Sequence, residues 1–151
     1  MTCLIVANQT LGGPRLQWEI QSRIDAGTTD FHVLVPIIKP GLEAANQVVW
    51  HPGASSDQPS RTEARHEAKH RAEHRLARMI DLVNELGGTA KGEVGTTNAV
   101  NSIRWCLRHD DYDEILISTL PSGFSHWLKA DLPARVAQIT DIPVVTVTAE
   151  Q

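Results

Sequence analysis

The residues best equipped for chemistry in this 151-residue chain fall in two stretches rich in glycine and hydroxyls. The first reads Asn8-Gln9-Thr10-Leu11-Gly12-Gly13-Pro14 and follows a short apolar run, Cys3 to Ala7. The second runs from Ser118 to Ser125, holds Thr119, Ser122 and Gly123, and follows Ile115-Leu116-Ile117. Both lead into helix-like patterns, and a helix N-terminus offers free N–H groups and a partial positive charge that attract anions. Gly12 and Gly13 permit close backbone approach, and the hydroxyls can donate hydrogen bonds, so a phosphate or another anion is the ligand these residues suit. Ordinary tight turns and helix caps use the same residue types, and the pattern leaves both readings open. With Pro36, near the end of a second apolar run, the candidate ligand-binding residues are Asn8, Thr10, Gly12, Gly13, Pro36, Ser118, Thr119, Ser122, Gly123 and Ser125.

Other clusters give less. His66, His70 and His74 recur every four residues beside Glu63 and Glu67, a spacing at which two imidazoles can share a metal. Each lies two residues from an alanine of the apolar stripe, about 200° round a helix, so a solvated face is expected and no metal site is assigned. The basic residues between them offset the glutamates of the same helix. Asp110, Asp111, Asp113 and Glu114 precede a strand, at the sheet end opposite the two loops, and are expected to form a solvated turn. Ser125 and His126 are adjacent and would not face each other on a helix. The chain has no GxSxG elbow, no P-loop and no GxGxxG. No catalytic residue is therefore assigned, and the expectation is a protein that is not an enzyme. Cys3 and Cys106 are the only cysteines and have no CxxC spacing, which favours two reduced, buried thiols over a zinc or redox role. Trp18, Trp105 and Trp127 are expected in packing, with Trp18 and Trp127 near the two loops. Trp50 is placed to cover a ligand or a partner surface.

The elements that must position these residues follow from the apolar pattern. Composition is that of an ordinary globular domain, with 41% hydrophobic and 21% charged residues. A net charge of -4 argues against nucleic acid or an acidic membrane surface as partner. The first residues form neither a basic leader nor an apolar run of membrane length, so the cytoplasm is the expected location. Cys3–Ala7, Phe31–Ile38, Thr89–Gly95, Ile115–Ile117 and Pro143–Thr148 are predicted strands, the apolar ones short and continuous as in a sheet covered on both faces. Helices are predicted from Pro14, from Arg61 to Leu86, from about Thr97 to His109, and from Asp131, whose carboxylate and following Pro133 suit a helix start. The order β-α-β-α-β-α-β-α-β predicts one α/β domain over 1–151. It is a three-layer fold with a five-stranded, mainly parallel sheet and helices on both faces, broken only by a long loop at 39–60.

This layout, the long break after the second strand, and a tail reading DEILIS…GF…WLKADLPARVAQITDIPVVTV are similar to the universal stress protein family, whose members end DLIVVG…G…GS…V…A..PVLVV. The likeness spans nearly the whole chain in layout. In sequence it covers the first strand and about the last forty residues. It implies five parallel strands of the adenine nucleotide alpha hydrolase-like kind, a homodimer paired through the last strand (143–148 here), a stress-response role, and in one branch ATP binding without catalytic apparatus. That branch carries Gly, two residues, Gly, nine residues, then Gly followed by Ser or Thr. Those positions fall on Ile117, Leu120, Ala130 and Asp131, and the family's acidic residue after strand one is replaced by Asn8. Side chains at Leu120 and Ala130 obstruct a phosphate, and Asp131 repels one. The expectation is a non-enzymatic regulatory or binding domain that takes ATP poorly and holds any adenine nucleotide or anion in an atypical site at the strand-one and strand-four loops. The alternative is a nucleotide-dependent enzyme of the related α/β group that uses Gly12-Gly13 for phosphate.

Overall fold

A computed structural model describes residues 2–7, 13–37, 61–119 and 132–148, with the backbone alone at 61–64. Its elements are β1 (Thr2–Val6), α1 (Pro14–Asp25), β2 (Asp30–Val35), α2 (Arg61–Glu85), β3 (Thr89–Val94), α3 (Ala99–His109), β4 (Glu114–Thr119), α4 (Leu132–Ile139) and β5 (Val144–Thr148). They form a five-stranded sheet in the order β3-β2-β1-β4-β5, in which every pairing is parallel. The sequence-based α/β expectation holds. The predicted loop at 39–60 and Trp50 lie outside the described residues.

Alternation along each strand divides the core into two layers. Cys3, Ile5, Phe31, Val33, Leu116 and Val147 turn towards Leu16 and Ile20 of α1 and Ala72, Met79 and Val83 of α2. Leu4, Val6, Leu34, Ile115 and Ile117 turn the other way, onto Val100, Ile103 and Cys106 of α3 and Leu132 and Val136 of α4. The central strands therefore need apolar residues at every position, which is why their sequences are continuous rather than alternating.

Local chemistry sets the element ends. Pro14 opens α1, and the Asn98 side chain caps α3 by accepting from Asn101 N at 3.0 Å. Gly27 and Gly87 take positive φ of 107° and 102° just beyond α1 and α2. The N–H groups that follow bond back, Thr28 to Arg23 O and Gly88 to Val83 O, closing both helices in the same way. β2 ends at Val35, before the predicted limit of Ile38, because Pro36 has no N–H to continue the ladder. Two expectations need correction. Trp18 is 65% exposed and Trp105 is 49% exposed, so neither is a core residue. Trp105 instead stacks on His109, with ring centroids 4.0 Å apart. His66, His70 and His74 are exposed, as their angular position requires.

Candidate functional site

β1 and β4 are neighbours at the centre of the sheet, and the helices that follow them lie on opposite faces. The winding direction reverses between them, which opens a crevice at their carboxyl ends where ligands of such sheets bind. Gly13 borders it as the N-cap of α1, half-buried, with φ -66° and ψ 146°. Among the described residues no side chain caps this helix at Gly13 and no acidic residue occupies its first turn, so no carboxylate there offsets the partial positive charge of the helix start. At the tip of β4, Ser118 and Thr119 are each 1% exposed. Alternation turns Ser118 to the α1–α2 layer, with Leu116, and Thr119 to the α3–α4 layer, with Ile115 and Ile117. Thr119 Oγ1 is buried and has no hydrogen-bond partner among the described residues. Such a hydroxyl costs about 1–3 kcal/mol until something pairs with it.

Pro36 is buried just beyond the end of β2, the strand next to β1, and the following Ile37 N donates to Thr96 O at 3.0 Å. Asn8, Thr10, Gly12, Ser122, Gly123 and Ser125 lie outside the described residues, as do Leu120, Ala130 and Asp131. Ile117, the position matched to the first glycine of the ATP pattern, is a fully buried β4 residue in the α3–α4 layer. At the other end of the sheet the acidic turn is exposed at Asp110, Asp111 and Asp113. The Asp113 carboxylate accepts from Thr2 N at 2.7 Å, and Glu114 pairs with Arg23.

A second polar cluster has no counterpart in the sequence-based expectations. His32 of β2 is 7% exposed, and its Nε2 lies 2.9 Å from Glu93 Oε1 of β3. The Cys106 thiol of α3 donates to the same oxygen at 3.4 Å. Register explains the meeting: Glu93 pairs with Leu34, so it lies diagonally from His32 on the same face, beneath α3. Tyr112 packs its ring edge-on to His32 at 5.8 Å. Burial, with the Glu93 carboxylate beside it, pushes the Cys106 thiol up to about 12, which keeps it protonated and a poor nucleophile. His32, Glu93 and Cys106 are far apart in sequence, and the only local signal is a polar residue on the buried face of a strand.

No protein-family model and no curated protein matches the sequence. Solved structures do match along nearly its full length. A universal stress protein from Archaeoglobus fulgidus in complex with dAMP is 12% identical, with 99% of this chain and 98% of that chain covered and a TM-score of 0.57. A universal stress protein family protein from Arabidopsis thaliana with AMP bound is 12% identical, covering 99% and 92% at a TM-score of 0.60. The fold is that of the universal stress proteins. A further universal stress protein, in complex with cAMP, is 12% identical over 99% of this chain and 98% of that chain, with a TM-score of 0.58. The universal stress protein fold thus persists here at sequence identities too low to carry residue roles across.

Proposed function

We propose that this chain is a non-enzymatic ligand-binding regulatory domain that takes an adenine nucleotide with a short phosphate chain at the carboxyl ends of β1 and β4. The observation that carries the reading is the Thr119 hydroxyl, buried and without a partner among the described residues, at the same sheet end as the acid-free start of α1. Together they offer a hydroxyl and a helix start whose partial positive charge no first-turn carboxylate offsets, at the point where the winding reverses. Solved structures of the same fold that hold AMP, dAMP and cAMP support the ligand class. The residues at the glycine positions of the ATP pattern argue for a ligand with fewer phosphates. Leu120 and Ala130 carry side chains there, and Asp131 carries a negative charge. The absence from the sequence of a P-loop and of a nucleophile elbow supports a binding role over turnover.

Native purification followed by mass spectrometry of any retained small molecule is the deciding experiment, with calorimetric titration of AMP, cAMP and ATP. Saturable AMP or cAMP binding, with ATP at least about tenfold weaker, is expected. A retained ATP, ATP as the tightest ligand, or no nucleotide binding at all would overturn the reading. Measurable nucleotide hydrolysis would favour the enzymatic alternative built on Gly12-Gly13. The partner we infer is a second copy joined through β5, the edge strand next to β4. Among the described residues no helix is long and apolar enough to cross a membrane.

A further inference from the structure

His32, Glu93 and Cys106 are gathered on the α3-facing side of the sheet, near the edge formed by β3 and away from the crevice at β1 and β4. One donor atom from each lies within 4.8 Å of the others, two of the three residues are buried, and Glu93 is partly exposed. His32 also keeps a buried Nδ1 with no hydrogen-bond partner, although the ring is packed on nearly all sides. A buried imidazole and thiol with a partly exposed carboxylate around one point are a costly set for a strand face unless their polarity has a use.

We propose that His32, Glu93 and Cys106 form a binding site for a divalent transition-metal ion of the zinc type. The donor set is one thiolate, one imidazole and one carboxylate. That mixture suits borderline-soft ions and disfavours magnesium and calcium, which take oxygen donors. Charge balances as well. A divalent cation with one thiolate and one carboxylate makes a neutral unit, which a largely buried site tolerates far better than a lone charge.

Protons balance too. The ion takes the place of the Cys106 thiol hydrogen that now points to Glu93, and this proton leaves to solvent. His32 stays neutral, its hydrogen passing to Nδ1 as Nε2 gives its lone pair to the metal. Tetrahedral zinc with bonds of about 2.0–2.3 Å separates its ligand atoms by about 3.3–3.8 Å. The Cys106–Glu93 separation of 3.4 Å already meets that, and the His32–Glu93 separation of 2.9 Å needs only a small opening. Three protein ligands leave a fourth position for water on the partly exposed Glu93 side.

Cobalt(II) titration of the metal-free full chain, followed by absorption spectroscopy, tests this. A thiolate-to-cobalt charge-transfer band should saturate at one equivalent, accompany visible bands of tetrahedral intensity, and bleach when zinc is added. Cys106→Ser and His32→Gln should abolish the band, and Glu93→Gln should weaken cobalt binding by at least about tenfold. Cys3→Ser should leave the band intact, since Cys3 sits on the opposite face of the sheet. Cobalt held by His66, His70 and His74 on the exposed face of α2 would give no thiolate band, so it cannot mimic the result. Circular dichroism of each variant separates a lost ligand from a lost fold, and Glu93→Gln, at a partly exposed position, keeps the test open if a core variant fails to fold. The proposal fails if the native protein shows no charge-transfer band, if the band survives Cys106→Ser, or if it disappears in Cys3→Ser.

Discussion

At Thr119 a hydroxyl is buried without a partner among the described residues, a condition that lowers stability and leaves a donor at the end of β4. Thr119→Val keeps the shape and removes the hydroxyl. It should raise stability by about 1 kcal/mol in a urea melt while weakening AMP or cAMP binding by about fivefold. A variant that binds as tightly as the native protein would place the nucleotide elsewhere. Cys3 gives a prediction of a different kind. Burial, and secondarily the charge of Glu114, push its thiol up to about 12. In the unfolded chain this thiol ionises at about 8.5–9, so between there and about 12 the folded state binds more protons, and stability falls as pH rises. The native protein should lose about 1.5 kcal/mol more than Cys3→Ala between about pH 8 and about pH 10, read from urea midpoints. Parallel curves for the two proteins would show that Cys3 is not the group responsible.

Among the elements, β3 is closely packed at Gly92, between β2 and α2. Gly92 lies opposite Val33, and a Cβ added there would meet the Val33 carbonyl oxygen and approach Leu76 Cδ1 of α2 to 2.6 Å. Gly92→Ala should therefore cost about 1–3 kcal/mol by overpacking, measured as a drop in thermal midpoint. Unchanged stability would mean that both the β2–β3 pairing at Val33 and the α2 packing at Leu76 can open without cost. This contact also accounts for the weak look of β3 in sequence. TAKGEV lacks apolar bulk because α2 approaches its backbone closely at Gly92, and because Glu93 is turned to His32 and Cys106. The stripe on α2, by contrast, was plain in sequence, since Ala68, Ala72, Met79 and Val83 recur at four or seven residues and are all buried.

For the whole molecule the open question is assembly, and the backbone of β5 makes it testable. Ile115 N donates to Pro143 O at 2.9 Å, so in this parallel pair Val145 and Val147 aim their N–H and C=O groups at β4. Val144, Thr146 and Thr148 aim theirs at the sheet edge. If a second copy pairs there, Thr146→Pro removes an outward N–H while sparing the β4 ladder, and light scattering should show a dimer become a monomer. A native monomer, or a dimer indifferent to Thr146→Pro, would exclude this edge as the interface. By itself the sequence determined the α/β class, the strands and helices, the buried stripes and the solvated histidines, because each is written in a local period of apolar residues. It also showed the missing glycines. Tertiary structure decided the rest. It exposed Trp18 and Trp105, left Thr119 Oγ1 unpaired among the described residues, and brought His32, Glu93 and Cys106 to one point. Those outcomes depend on strand order and register, which join residues 61 and 13 positions apart through long-range pairing that no local period encodes.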